Sequence, residues 1–348
     1  MAVKRATLAD VARRAGTSTA VVSYVLNDGP RPVSEELRAR VLAALDELDY
    51  RPDRIARALR RPRRWRQIGL LVPDVTLPLF GALVGHIEVE ARARDHLTMI
   101  GNTGYDPERE SEFVGAFADS GIDSLIVVGG ADGPATARLC EQARIPIVWV
   151  HNNRGHIDSP VVGADHTRAG ALATEHLLTT HGRDDIVFVG GFTPEDVEHG
   201  DRETVAQRYD GYVSVVGASA ARLIRTNLSP AGAYHAVGRY LATEAVPDGM
   251  IVGTYGQAAA ALRAVKDGGF RIPRDIAVVG FDGDITNTYG QLTLTTVQQP
   301  IDTIARTALD LALRDRGSED SRARSVPIEV FLNPGETCGC GTGPTVFG

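Results

Sequence analysis

Two periodicities divide the chain. Over residues 7–48 apolar positions recur every three to four residues in three bursts: Leu8, Val11, Ala12 and Ala15; Val22, Val25 and Leu26; Leu37, Val41, Leu45 and Leu48. That spacing predicts three short amphipathic helices. Thr7, three residues ahead of Asp10, opens the first as a capping box, and Gly16 supplies the left-handed residue that ends it. Ser18 caps a second helix over 19–26, and Ser34 caps a third over 35–48. From Gln67 onward the pattern changes to unbroken Val/Ile/Leu runs alternating with amphipathic stretches. The runs at 67–74, 97–103, 124–130, 145–152, 185–191, 221–227, 249–255 and 276–283 predict eight strands with helices between them. Such strands imply parallel sheets covered on both faces. They fall into two sets of four parted near residue 160, so two similar α/β lobes are expected. A ligand would then sit beyond the carboxyl ends of the strands.

The second helix has an uncommon surface. Residues 15–27, AGTSTAVVSYVLN, hold no acid or base apart from Tyr24, although arginines surround them. Burying Val22, Val25 and Leu26 turns Thr19, Ala20, Ser23 and Tyr24 outward. Small residues let the helix axis approach a groove floor. The hydroxyls of Ser18 and Ser23 suit phosphate oxygens, and the methyls of Thr19 and Ala20 suit thymine methyls. The turn before this helix is about three residues long, the length used by helix-turn-helix units. Charge agrees with that reading. Residues 1–66 hold 15 Lys and Arg against 8 Asp and Glu, whereas the remainder holds 22 against 36. A basic head on an acidic body is the asymmetry of a chain whose one end meets a polyanion.

TLADVARRAGTSTAVVSYVLN (7–27) and VSEELRARVLAALDELDYRPDRIARALR (33–60) closely resemble the N-terminal region of the lactose-repressor/galactose-repressor (LacI/GalR) family of transcription regulators. The resemblance implies that Thr19, Ala20 and Tyr24 read bases, and that Thr7, Ser18, Ser23 and Asn27 hold phosphates. Tyr24 stands where many members carry an arginine, which argues against strong dependence on one guanine at that position. After the third helix, Arg57, Arg60, Arg61, Arg63, Arg64 and Arg66 crowd a short helical stretch from Arg54 to Leu59. It is too short and self-repelling to hold alone. The resemblance implies that it forms on DNA beside its copy from a second subunit, with Leu59 wedged into a minor-groove base step and Ala56 at the helix–helix contact.

IGLLVPD, DPERE, RYDGY, IPRDIAVVGFD and LTTVQQP extend the resemblance over most of 67–332, to the family's effector domain. The expected fold is thus an all-α helix-turn-helix head followed by an α/β two-lobed periplasmic-binding-protein-like (type I) effector domain with parallel sheets. The expected layout is a head over 1–50, a hinge over 51–66, an effector-binding and dimerisation domain over 67–335 and a tail over 336–348. Its N-lobe would take about 67–160 with 294–323, and its C-lobe about 161–293 with 324–335.

Asp74, Asn102, His151, Asn152, Tyr255 and Asp282 stand at predicted strand ends, with Arg208 on a helix and Phe80 as an apolar wall able to stack on a ligand. Each polar residue has a structural alternative: Asp74 and Asn102 as helix caps, Arg208 paired across the cleft with Asp282. The resemblance implies that Arg208 and Asp282 hold ligand hydroxyls or ring polar atoms. It also shows His151-Asn152 where Asp-Arg is usual, Thr254-Tyr255 where Asn-Asp is usual, and His166 replacing an Asn. The expected effector set is Phe80, Asn102, His151, Asn152, Arg208, Thr254, Tyr255 and Asp282, for a small polar ligand such as a sugar. The changed positions point away from an ordinary hexose.

Other classes fit less well. No run approaches the ~18 apolar residues of a membrane span, and MAVKRATLAD lacks an apolar signal segment. A cytoplasmic, nucleoid-associated protein is expected. A small-molecule-processing α/β enzyme would need a nucleophile elbow, phosphate loop or metalloprotease motif, and none occurs. A solute-binding receptor shares the body but has no use for the basic head. Cys140, Cys338 and Cys340 cannot form a disulfide framework and lack the spacing of a zinc site. Cys338 and Cys340 read as thiols on a loose tail, and no cofactor or metal is expected. The sequence therefore predicts a ligand-responsive repressor, a homodimer that binds near-palindromic double-stranded operator DNA.

Overall fold

The computed structural model describes residues 7–27, 33–48, 66–151, 159–197, 201–282, 292–314 and 325–341. The chain divides into two units, Met1–Arg64 and Trp65–Gly348.

The first unit holds α1 (Leu8–Ala15), α2 (Thr19–Asn27) and α3 (Glu35–Glu47). The caps are those the sequence predicts. Thr7 Oγ1 accepts from the Asp10 N–H at 3.3 Å while the Asp10 carboxylate accepts the Thr7 N–H at 2.9 Å. Gly16 ends α1 at φ 62°. Ser18 Oγ accepts the Val21 N–H, and Ser34 Oγ that of Leu37. Val11, Ala12, Ala15, Val22, Val25, Val41 and Ala44 form the core, with Leu8, Leu26, Leu45 and Leu48 at its margin. Fully burying a valine contributes roughly 1.5–3 kcal/mol, so this small core rests on a few positions of each stripe. The Arg14–Glu47 ion pair joins α1 to α3 but is exposed and contributes little.

The second unit begins with β1 (Arg66–Val72), α4 (Pro78–Ala93), β2 (His96–Asn102), α5 (Pro107–Ser120), β3 (Ser124–Val128), α6 (Gly133–Ala143), β4 (Ile147–Val150) and β5 (Val161–Ala164). There follow α7 (His166–Glu175), a π-helical turn (His176–Thr180), β6 (Ile186–Gly190), α8 (Arg202–Val216), β7 (Arg222–Arg225), α9 (Pro230–Thr243), β8 (Gly249–Val252), α10 (Tyr255–Asp267) and β9 (Ala277–Phe281). The last elements are β10 (Thr295–Gln298), α11 (Ile301–Ala312), β11 (Ser325–Ile328) and β12 (Phe331–Asn333).

Two six-stranded sheets result, ordered β11-β5-β4-β3-β1-β2 and β12-β10-β9-β8-β6-β7. The pairings are parallel except for β10 with β12. Each sheet reverses strand order at one place, between β1 and β3 and between β6 and β8. Those switch points are where an open parallel sheet leaves a crevice for a ligand.

Sheet membership corrects the expected lobe boundaries. β5 and β11 lie in the first sheet and β10 in the second. The chain therefore crosses between lobes after Ala164, between Gln298 and Ile301, and between Ile328 and Phe331, not near 160, 294 and 324. The cause is legible: β5 (VVGA), β10 (TTVQ), β11 (SVPI) and β12 (FLN) have only three or four residues each. Runs that short give no periodic signal. The segment expected as a loose tail also differs, because Thr337 and Cys338 are fully buried. Thr337 accepts the Thr295 N–H at its Oγ1 and donates that hydroxyl to the Val278 carbonyl.

One packing detail positions the polar residues between the lobes. A Cβ on Gly170 would lie 1.9 Å from the Arg208 carbonyl oxygen, and one on Gly211 2.0 Å from that of Thr167. So α7 and α8 touch backbone to backbone, and only glycine permits it. This contact fixes Arg208 on α8 against the helix that His166 opens.

Candidate functional site

On the head, Thr7, Leu8, Ala9, Thr19, Ala20, Ser23 and Tyr24 line one shallow concavity. Four of the residues predicted to face outward from the second helix are therefore brought together with Thr7. Ser18, Thr19 and Ala20 are exposed, while Ser23 and Tyr24 are half-buried. No charged residue lies in the first or last turn of α2. The Thr7 hydroxyl donates to Asp10 Oδ2 at 2.6 Å. That bond and the Thr7 N–H hold the Asp10 carboxyl below its usual range. Arg54, Ala56, Leu59 and Asn152 lie outside the described residues, as does the side chain of Asn27.

Between the lobes, His151 follows β4 in the left-handed region, at φ 80°. A non-glycine residue is held there only when its surroundings over-determine it. The surroundings are visible. His151 Nε2 lies 2.6 Å from Asp201 Oδ2, its ring meets Phe80 edge-on at 5.5 Å, and its carbonyl lies 3.2 Å from His166 Nε2. Phe80 and His151 belong to the lobe of the first sheet. Asp201, which caps α8 through the Thr204 N–H, and His166 belong to the lobe of the second. The His151–Asp201 contact is thus a bridge between lobes. Burial raises the Asp201 pKa, but the His151 charge and hydrogen bond outweigh it and hold that carboxyl well below its usual range. Burial, then the charges of Arg208 and His151, push His166 well below 6.5.

Arg208 and Asp282 also meet, but within one lobe and not across the cleft as expected, since α8 and β9 belong to the same half. Arg208 Nη2 donates to Asp282 Oδ2 at 3.0 Å and Nη1 to the Gly253 carbonyl at 2.9 Å. Gln299 Nε2 donates to Asp282 Oδ1 at 2.7 Å, and the guanidinium lies 4.3 Å over the Phe281 ring. Thr254 and Tyr255 follow directly on Gly253, and the Thr254 hydroxyl donates to Gln257 Oε1. Asn102 is used otherwise: its carboxamide oxygen accepts the Val75 N–H at 3.0 Å and clamps the loop after β1. Asp74 likewise turns back on Thr76 within its own loop.

Asp201, Gln299 and Phe281 were not singled out from sequence. Asp201 sits three residues before Thr204, a cap spacing, and that was its one available signal. Three buried polar atoms here, His151 Nδ1, His166 Nδ1 and Arg208 Nε, have no hydrogen-bond partner among the described residues. Buried donors and acceptors are seldom left so, which marks this region as one a polar ligand can complete.

The comparisons with known proteins agree with this division. Residues 7–53 match the family described as bacterial regulatory proteins, lacI family, and residues 174–338 match the periplasmic binding protein-like domain. The chain is 30% identical over 331 residues to the HTH-type transcriptional repressor PurR of Salmonella paratyphi B, spanning 93% of this chain and 94% of that one. The lac repressor dimer bound to operator and the anti-inducer ONPF superposes with a TM-score of 0.71 at 23% identity, over 96% of this chain and 99% of that one. A LacI family regulator from Enterococcus faecium with bound ribose gives 0.67 at 25% identity, over 78% and 98%. With the head, the paired sheets and a full-length relative all in agreement, the chain belongs to the LacI family of bacterial regulatory proteins.

Proposed function

We propose that this protein is a homodimeric repressor that reads a near-palindromic duplex operator through α2 and is controlled by a small polar effector held between its lobes. The observation that carries this reading is the concavity of Thr7, Thr19, Ala20, Ser23 and Tyr24 on a head whose charge is opposite to that of the body. Thr19, Ala20 and Tyr24 then meet base edges, and Ser18, Ser23 and Asn27 meet phosphates. Thr7 serves first as the cap; its hydroxyl must leave Asp10 to donate to a phosphate. Arg54, Ala56 and Leu59 would act in the hinge.

For the effector we assign Phe80, His151, Arg208, Thr254, Tyr255 and Asp282, joined by His166 and Asp201, with Asn102 as a support of the neighbouring loop and Asn152 following His151. A sugar-like polyol suits the unpartnered nitrogens, and ribose is bound in one of the similar structures. Because His151–Asp201 bridges the lobes, a ligand that competes with or encloses this contact changes their closure. Dimerisation through the first sheet is supported by its edge strand β2, which exposes Leu97 and Ile100, and by α4, which exposes Val89. A cytoplasmic, nucleoid-associated place follows from operator binding.

Ala20→Glu tests the head. It should weaken binding of a selected operator by about 100-fold or more, because a carboxylate turned toward phosphates adds like-charge repulsion. Ala20 is exposed, so the urea midpoint should not move. Operator affinity within about threefold of the parent would place DNA on another surface.

A further inference from the structure

We propose that His176, His181, Cys338 and Cys340 form a closed, four-coordinate structural site for Zn²⁺ that ties the C-terminal segment to the π-helical turn after α7. The four donor atoms all lie within 4.8 Å of one another. His176 Nε2 is 3.2 Å from His181 Nε2, 3.3 Å from Cys338 Sγ and 3.6 Å from Cys340 Sγ. Cys340 Sγ is 3.4 Å from His181 Nε2. A tetrahedral zinc with Zn–N near 2.0–2.1 Å and Zn–S near 2.3 Å separates its donors by about 3.3 Å for two nitrogens and about 3.6 Å for nitrogen and sulfur. The observed spacings match that tetrahedron. Hydrogen bonding does not account for them, because one imidazole nitrogen offers a single proton or lone pair, and His176 Nε2 has three partners.

The backbone on both sides serves the same arrangement. In an ordinary α-helix, residues five apart point about 140° away from each other. The π-helical turn over His176–Thr180 widens the helix by one residue, so His176 and His181 face the same way, their rings 4.8 Å apart. Such single π turns are rare and tend to occur at functional sites. On the other side, Gly339 sits at φ 105° between the two cysteines, a conformation closed to other residues, and turns both thiols inward. Cys338 is fully buried and follows Thr337, whose bonds to Val278 and Thr295 lock the segment onto the second sheet. Two imidazoles and two thiolates without a carboxylate select Zn²⁺ over harder cations. His176, just past the end of α7, lies about 15 Å along the helix axis from His166, so this site is separate from the interlobe residues. Its role is to fasten the chain end; four protein ligands leave no open position for catalysis.

The test uses the full chain, purified under reducing conditions and reconstituted with Zn²⁺ or Co²⁺. Elemental analysis after desalting should give about one zinc per chain. The cobalt form should show the intense visible bands of a tetrahedral centre and a near-ultraviolet thiolate-to-cobalt band. Cys340→Ser, at a half-buried position, should lower zinc affinity by more than about tenfold, since loss of even an outer partner of a ligand costs that much. Stripping zinc with a chelator should lower Tm, and adding zinc back should restore it. Zinc below a tenth of an equivalent with no tetrahedral cobalt spectrum overturns the proposal, whatever the variants do. So does a Cys338–Cys340 disulfide, read as a mass about two units low, that survives purification under reducing conditions.

Discussion

Arg208→Ala is expected to lower the free energy of unfolding by about 3–5 kcal/mol, the loss typical of breaking a buried ion pair by removing one partner. Arg208 is 3% exposed and Asp282 7%. Removing the guanidinium leaves the Asp282 carboxylate with Gln299 as its one remaining side-chain partner among the described residues, takes the Arg208 donor from the Gly253 carbonyl and uncovers the Phe281 ring. Asp282→Ala should cost a similar amount, since it leaves a buried cation over Phe281. The two losses should not add: the double variant should be several kcal/mol more stable than the sum predicts, because neither charge is then stranded. Urea unfolding of the four proteins measures this. A loss below about 1 kcal/mol for either single variant would mean that water reaches the pair and that the carboxylate is free for a ligand. On the proposed reading the pair supports the effector site from below, and Arg208 Nε, His151 Nδ1 and His166 Nδ1 are the buried atoms a ligand would complete.

Acid should destabilise the protein in a window set by His166. Burial, Arg208 and His151 hold its folded pKa well below 6.5. Between the folded value and 6.5 the unfolded chain binds a proton that the native protein does not. Stability is thus full above about pH 6.5 and falls as pH drops, by up to about 1.4 kcal/mol per unit from this one group. Asp201 acts in a separate and lower window. Its pKa is depressed, so its contribution is present above the ordinary carboxylate value and is lost only as pH falls below that. His166→Asn removes the first effect and leaves the second, so the difference between the two stability profiles isolates it. Identical profiles for parent and variant between pH 6.5 and 5 would show that His166 takes up its proton as readily in the folded protein as in the unfolded chain.

The three helices of the head were legible because each stripe, cap and stop agrees in sequence; Thr7, Gly16, Ser18 and Ser34 do what their positions imply. The parallel sheets were legible from unbroken apolar runs such as β1, β3 and β6. What failed was what depends on distant partners. β5 and β11 are four residues each and pair across a long stretch of chain, Val161 with Ser325, which no local pattern reveals. Arg208 and Asp282 were recognisable as a pair, but which lobe held them was not. Asp201 gave no sign of His151, fifty residues away. The cysteines looked like loose thiols because nothing in C-x-C alone announces two histidines 159–164 residues earlier.

Selection of bound duplexes from a random pool, followed by salt titration of the winner against its scrambled counterpart, tests whether the head reads duplex DNA. The full-length protein, run alone and with mixed sugars, nucleosides and small polar acids, should enrich one near-palindromic sequence and bind it at least about 10³-fold more tightly than the scramble. Its log affinity should fall with log salt by about 0.9 for each phosphate neutralised. No enriched sequence under any of those conditions, or a flat salt response, would mean that this protein is not a sequence-reading DNA-binding regulator.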